Sequence, residues 1–319
     1  MTTLAHDVPG RSARADGSGL LVALLSAASF ALSGPLARGL FDRGWTPGAV
    51  VLLRVSLGAL VLAPFALRAL RGHGAVCRRN LGLIGLYGLC GVAVTQFCYF
   101  AAIEHMQVGP ALLIEYAAPV LVVGWMWLHH GHRPSRVTVA GAVLALAGLV
   151  LVLDLLGGVA VSTAGVLWAL AAMVGVSTYF VINGDDTTGL PPLGLAWLGL
   201  VVGSVLLGAL AATGLMPFAA ASGAVELASA RTPWWLPVLL LGVVTAALSY
   251  ATGVVAGRRL GARLASFMGL FEVLSAVVFA WLLLGELPRV VQLLGGVLVL
   301  AGVVVVRLGE REVARLGLE

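Results

Sequence analysis

The sequence predicts an all-α integral membrane protein with ten transmembrane helices, arranged as two inverted five-helix repeats. The prediction rests on the composition, the succession of apolar segments and an internal repeat. Of the 319 residues, 60% are hydrophobic and only 10% are charged, and the mean hydropathy is +1.05. A soluble domain carries about 25% charged residues to cover its surface. This chain therefore suits a lipid bilayer rather than a water-facing surface.

Ten apolar segments are long enough to cross the hydrocarbon core as helices. Short polar stretches separate them, for example Asp42–Arg43, Arg78–Arg79 and Glu286–Pro288. No small-residue cleavage site closes the first segment, so we expect it to be retained as a span rather than removed as a signal peptide. The predicted spans are 20–40, 46–70, 81–103, 107–129, 136–156, 162–183, 193–215, 234–256, 263–284 and 288–307.

The basic residues predict the orientation. All 19 are arginine. With ten spans and a cytoplasmic N-terminus, 14 fall in inner segments, Arg54 falls within a span, and the outer segments hold only Arg38, Arg43, Arg231 and Arg289. Because cytoplasmic loops are enriched in basic residues, we expect a multi-pass protein of the cytoplasmic (inner) membrane with both termini cytoplasmic. The absence of lysine excludes a phosphate-binding loop that needs one. The arginines lie at helix ends rather than in one patch, which argues against nucleic-acid binding.

An internal repeat with an offset of 154 residues relates the two halves. Without gaps, Pro134 aligns with Pro288, and Gly141–Gly148 aligns with Gly295–Gly302. Each half has five spans, and duplication of an odd number inverts the second copy in the membrane, as in many alternating-access transporters. The predicted divisions are a cytoplasmic tail at 1–19, a first repeat at 20–156, a second at 157–307 and a cytoplasmic tail at 308–319.

The second half resembles the EamA branch of the drug/metabolite transporter superfamily in Leu260–Ser266, in Glu272 and in Leu284–Glu286. The segment Val108–Pro119 is similar to the threonine/homoserine exporter subgroup. The resemblance covers essentially residues 20–307. It implies a secondary transporter of a small metabolite, and the expected activity is export of amino acids or related compounds. It implies no cofactor.

Two positions depart from the family pattern. The family has a glutamate–proline pair in the ninth span, where this chain has Glu272–Val273. The glycine–glutamate pair after the fourth span is here Gly131–His132. Roles that depend on the missing proline or glutamate are therefore not carried over to this chain.

Three ionisable residues, Arg54, Glu115 and Glu272, lie well inside predicted spans. Such residues are costly in lipid and are candidates for function. Arg54 and Glu115 are both roughly 12 Å from the same face, so we expect them to pair. The pair either only holds two helices together or anchors a substrate carboxylate. Glu272 is either a structural acid or a proton carrier, which makes protons a candidate coupling ion.

Polar residues on several other spans indicate a wet central cavity. Ser26, Ser29 and Ser33 share one face of the first span, and Thr245 and Ser249 share one face of the eighth. Hydroxyls can bond to their own helix, so each stripe alone is a weak signal. The candidate substrate-binding or gating residues are Arg54, Gln96, Tyr99, Glu115, Trp168, Tyr179, Ser249 and Glu272.

Other functions fit the sequence less well. His129, His130 and His132 have no nearby Asp, Glu or Cys, so no metal site is predicted. A membrane-embedded enzyme acting on lipid, the alternative function, requires clustered His, Asp or Ser at one interface, and the sequence has no such cluster. The expected partners are a small-molecule substrate and the lipid bilayer, without nucleic acid.

Overall fold

The computed structural model describes residues 17–118, 135–152, 162–184, 188–227 and 230–316, and most of them are helical. Two segments within the helices are π-helical, π1 (Tyr87–Val94) and π2 (Val243–Leu248). The α-helices are α1 (Gly17–Ala31), α2 (Ser33–Phe41), α3 (Pro47–Ala69), α4 (Gly74–Arg79), α5 (Leu81–Leu86), α6 (Thr95–His105), α7 (Val108–Glu115), α8 (Arg136–Val152), α9 (Thr163–Gly184), α10 (Pro192–Ala212), α11 (Trp235–Gly242), α12 (Ser249–Leu284) and α13 (Val290–Leu316).

Six helical segments of the described residues are long and apolar enough to cross a membrane, and three further apolar helices are shorter. The predicted count of ten spans is therefore not confirmed. The second half of the predicted fourth span lies outside the described residues. The six long segments are Ser18–Phe41, Pro47–Ala69, Leu81–His105, Thr163–Asn183, Pro192–Ala212 and Trp235–Arg259, and the shorter ones are Arg136–Leu151, Phe271–Leu284 and Val290–Gly302.

The first span is interrupted once. The α-helical pattern breaks at Leu32, between α1 and α2. Pro35 has no N–H to donate to the main-chain oxygen of Ala31, so the regular hydrogen-bond ladder cannot pass this point. The interruption changes the partners along the span. The α1 half packs along α12, and the α2 half approaches α6 and α11 as well as α12.

The helical assignment of α12 runs from Ser249 to Leu284 without the loop predicted at Arg258–Arg259. The chain nevertheless reverses its direction along α12, because Gly257 lies beside Asn183 whereas Glu286 lies near Val108 and Arg38. Arginine, alanine and leucine favour helix, and this stretch contains no proline to stop it. The helix ends at Gly285, whose φ of 69° is left-handed and suits glycine.

A small β-hairpin, which the all-α prediction does not include, follows α10. Strands β1 (Ala224–Leu227) and β2 (Ala230–Pro233) pair antiparallel, with Val225 opposite Thr232. The hairpin packs on α2, where a Cβ at Gly39 would lie 2.9 Å from the Val225 side chain. We call this end of the bundle the hairpin end. The opposite end, which carries Arg78, Arg79, Arg258 and Arg259, is the arginine end.

Helices α8 and α13 cross in antiparallel directions through a reciprocal glycine contact. A Cβ at Gly148 would lie 2.6 Å from the main-chain nitrogen of Val299, and one at Gly302 would lie 2.4 Å from that of Ala145. Gly148 and Gly302 are partners in the 154-residue offset, and so are Ala145 and Val299. Each helix therefore offers the same surface to the other, as at a local two-fold axis.

The two π-helical segments are related by the same 154-residue offset. The Thr95 hydroxyl donates to the main-chain oxygen of Cys90 at 2.6 Å, and the Ser249 hydroxyl donates to that of Val244 at 2.9 Å. Thr95 and Ser249 are 154 residues apart, as are Cys90 and Val244. The repeat therefore extends to local hydrogen bonding, in a helix type that is frequent at functional sites.

We expect Gly302→Leu to lower the free energy of unfolding by about 1–3 kcal/mol, because the backbone of α8 occupies the space that the side chain needs. Gly85→Leu is the matched control, since a Cβ at Gly85 meets nothing within 4 Å. Chemical denaturation of both purified variants in mixed micelles measures the difference. Equal losses for the two variants would contradict the assigned contact.

Candidate functional site

The side chain of Arg54 is fully buried, at 0% exposure. Its Nε donates to the hydroxyl of Thr245 at 2.9 Å, and its Nη2 donates to the main-chain oxygen of the same residue. Its Nη1 donates to Oε1 of Gln96. The rings of Phe30 and Phe100 lie 5.7 and 5.4 Å from Cζ, within range of a cation–π interaction. The three acceptor atoms of the guanidinium therefore belong to two residues, one from each half of the chain.

The π-helical segments position both acceptors. Thr245 lies inside π2, and Gln96 follows π1 by two residues. A π turn departs from the regular α-helical ladder, so a main-chain oxygen within it can face a side chain from another helix. The Thr245 hydroxyl donates to the main-chain oxygen of Leu241 at 2.9 Å, which leaves its lone pairs directed toward Arg54.

The predicted direct ion pair between Arg54 and Glu115 is not among the ion pairs of the described residues. The guanidinium bonds to Gln96 and Thr245 instead. Glu115 is 5% exposed, and its charge interacts with that of Arg54 at longer range. The two residues thus belong to one cluster, but the carboxylate is not held by the arginine.

Glu272 belongs to the same cluster. The hydroxyl of Tyr116 donates to its Oε2 at 2.6 Å. The charge of Glu272 interacts with those of Arg54 and Glu115. Two carboxylates thus share a buried site with one guanidinium. With all three ionised, negative charge is in excess, so a bound proton or a cationic group of a solute stabilises the cluster.

Three further predicted site residues line or flank this cluster. Tyr99 lies beside Phe100, with ring centroids 5.3 Å apart, and its hydroxyl has no hydrogen-bond partner in the part of the chain that is described. Tyr179 meets Tyr250 edge to face at 5.7 Å. Ser249 is fully buried, and its main-chain oxygen accepts a bond from Ser26 at 2.9 Å, as the polar stripe on the first span suggests.

Trp168 does not join the cluster. Its side chain is 37% exposed on α9 and packs edge to face on Phe97, with ring centroids 5.6 Å apart. The structure therefore places this predicted site residue on the outer surface of the bundle. A tryptophan there suits the lipid boundary, where its amphipathic ring is commonly found.

Sequence reasoning missed several residues of the site. Tyr116 and Tyr250 each directly follow a predicted site residue, and Thr245 was seen only as part of a polar stripe. Phe30 and Phe100 carry no polar signal, so they are indistinguishable from lipid-facing aromatics until the fold is known.

At the hairpin end, side-chain contacts tie neighbouring helices together. Arg38 donates to the main-chain oxygen of Ile103 and, at 3.5 Å, to that of Met106. The carboxylate of Glu286 lies near the main-chain N–H of Val108. Burial raises the pKa of Glu286 above its ordinary value, so its carboxyl group takes up a proton more readily than an exposed glutamate.

A lipid-compatible helical bundle with buried charges at its middle has the architecture of a membrane transporter. The chain belongs to the EamA-like transporter family, which it matches over residues 17–154 and 163–308. The two matched stretches correspond to two repeats of one domain. The family assignment makes the protein a membrane transporter rather than an enzyme.

Similar proteins agree with this assignment. An uncharacterized transporter of Archaeoglobus fulgidus is 28% identical over 80% of this chain and 85% of its own length. A probable terminal-alkyne amino-acid exporter of Streptantibioticus cattleyicolor is 30% identical over 82% of this chain and 86% of its own length. One crystal structure superposes with a TM-score of 0.59 at 23% identity, over 93% of this chain and 99% of that one, and so shares the fold.

We expect Gln96→Leu to lower the free energy of unfolding by about 1–3 kcal/mol, because it leaves Nη1 of a buried guanidinium without its acceptor. Ser204→Ala serves as the control, since within the described part of the chain the Ser204 hydroxyl bonds only to its own helix, at the main-chain oxygen of Leu200 at 2.8 Å. Denaturation in mixed micelles gives both values. If Gln96→Leu is as stable as the control, Gln96 does not hold Arg54.

Proposed function

We propose that the protein is a secondary transporter that exports amino acids or related small metabolites across the cytoplasmic membrane by alternating access. The observation that carries the proposal is the buried cluster of Arg54, Glu115 and Glu272, whose parts come from both halves of the chain. A charged site shared by two repeats suits a solute site that opens to each side in turn.

The proposed architecture is ten spans in two inverted repeats, at 20–156 and 157–307. The antiparallel, reciprocal contact of Gly148 and Gly302 supports an inverted relation between the halves. The matching hydrogen bonds of π1 and π2 support it as well. In this arrangement the arginine end and both termini face the cytoplasm, and the hairpin end faces outward.

The charges of the cluster suit a zwitterionic solute. A guanidinium has five N–H donors, and three hydrogen bonds from Arg54 to protein acceptors account for only part of them. The remaining donors suit a carboxylate, and Glu115 and Glu272 suit an ammonium group. The rings of Phe30 and Phe100 would pack against the solute's carbon chain. One relative is named an amino-acid exporter, which agrees with this substrate class.

The function is tested by uptake of a uniformly ¹⁴C-labelled mixture of L-amino acids into inverted membrane vesicles, whose cytoplasmic face points outward. We expect the wild-type protein to accumulate label as chemically unchanged amino acids. Arg54→Gln should lose at least about nine-tenths of this uptake, because glutamine has neither the positive charge nor the paired N–H donors of the guanidinium. Arg54→Lys should recover only a small part of it.

Two controls accompany this assay. Ser204→Ala should transport like the wild type, and a C-terminal tag after residue 319 should be cleaved by protease added outside the inverted vesicles. Wild-type vesicles that move no amino acid would refute the substrate class, and a protected tag would refute the orientation.

Proton coupling is proposed to depend on Glu272. This residue lies buried beside Tyr116, and its charge interacts with that of Arg54. A coupling carboxylate must bind and release a proton during the cycle. Glu272→Gln keeps the shape of the side chain but cannot ionise, so uptake by this variant should lose its dependence on pH. The measurement is initial uptake between pH 5.5 and about 8.5.

The exposed Glu104 provides the matched control, because Glu104→Gln makes the same chemical change away from the cluster. It should keep the wild-type pH profile. A wild-type profile in Glu272→Gln itself would make Glu272 a structural acid and end the proton-coupled mechanism, while leaving facilitated transport intact.

A further inference from the structure

A second polar cluster lies about two helical turns nearer the arginine end than Gln96. It contains Tyr87, which is 0% exposed, and Asn183, which is 3% exposed. Both amide atoms of Asn183, the hydroxyl of Tyr87 and Nε of Arg258 have no hydrogen-bond partner within the described residues. Four such atoms at one place are unusual, because buried polar groups are nearly always paired with protein, water or a ligand.

These side chains face one another. The Tyr87 hydroxyl lies close to the Asn183 amide without the geometry of a hydrogen bond, and it lies within electrostatic range of Arg258. Tyr179 also lies beside the Asn183 amide. Gly257 permits this approach, since a Cβ there would lie 3.2 Å from the main-chain oxygen of Asn183. Arg258 is partly anchored, through a 3.3 Å bond from Nη2 to the Thr188 hydroxyl. The cluster thus combines one cation, two amide atoms and one hydroxyl.

A row of aromatic rings connects this cluster to the central site. The ring of Tyr87 stacks on Tyr179 at 5.9 Å, and Tyr179 meets Tyr250 at 5.7 Å. Tyr250 meets Phe30 at 5.2 Å, and Phe30 lies 5.7 Å from the Cζ of Arg54. The row is a continuous apolar wall between two polar sites.

We propose that Tyr87, Asn183 and Arg258 form a subsite that binds an α-amino acid from the cytoplasm before it reaches Arg54. The inference rests on the proposed function and extends it. The carboxylate of the solute accepts from Arg258, from the Tyr87 hydroxyl and from the amide nitrogen of Asn183. The ammonium group donates to Oδ1 of Asn183. Each unpaired donor of the cluster then has an acceptor, and the unpaired Oδ1 of Asn183 has a donor.

Asp185 and Asp186, which follow Asn183 by two and three residues in the sequence, lie outside the described residues. An aspartate that neutralises Arg258 would leave no cation for the solute carboxylate. Binding at this subsite therefore requires that the charge of Arg258 contribute to affinity.

The test uses Asn183→Leu and Tyr87→Phe in the inverted-vesicle assay with the ¹⁴C-labelled L-amino-acid mixture. Both changes remove atoms that have no partner in the described structure, so thermal stability in detergent should not fall. The cytoplasmic concentration for half-maximal uptake should rise about five-fold or more in each variant, as expected for one lost hydrogen bond to a charged group. Ser204→Ala should leave it unchanged.

The charge requirement is tested with Arg258→Lys and Arg258→Gln. The glutamine variant should raise the half-saturating concentration more than the lysine variant does, because only lysine keeps the positive charge. Equal values for these two variants, or unchanged values for Asn183→Leu and Tyr87→Phe, would overturn the subsite while the proposed function stands. Wild-type vesicles without uptake would instead refute the proposed function.

Discussion

The burial of one guanidinium constrains much of the core. Removing Arg54 from water costs several kcal/mol unless its N–H groups find acceptors, and the apolar spans around it offer few. The chain supplies Gln96 from one half and Thr245 from the other. Because both acceptors must reach the same side chain, helices from the two halves are held together at the middle of the bundle. The polar site is therefore also the point at which the halves are joined.

The two repeats contribute equivalent residues to this site. Gln96 and Tyr250 are equivalent in the 154-residue offset, and their side chains meet beside Arg54. The π-helical turns that precede them are equivalent as well. The charged residues, in contrast, are not repeated, since Gly208 and Gly269 stand opposite Arg54 and Glu115. A symmetric framework thus carries an asymmetric charge pattern, which allows it to orient a solute with two different ends.

The sequence predicts the helical membrane class, the repeat and most of the buried polar residues, because each leaves a local signal. Charge in an apolar segment marks Arg54, Glu115 and Glu272, and fixed glycines mark the offset. The partners of those residues could not be predicted, since depth alone suggested Glu115 for Arg54 where the fold supplies Thr245. The position of Trp168 away from the cluster could not be predicted either, because the sequence does not show whether an aromatic side chain faces a cavity or lipid.

Accessibility of Ser249 from the two sides of the membrane tests alternating access at the Arg54 site most directly. Ser249 is buried here, one turn from Thr245. In a background in which Cys77, Cys90 and Cys98 are replaced, Ser249→Cys can be labelled with a membrane-impermeant thiol reagent applied to either face. The proposed mechanism requires labelling from both faces, with protection by the L-amino-acid mixture. Labelling from one face only, or from neither, would contradict it.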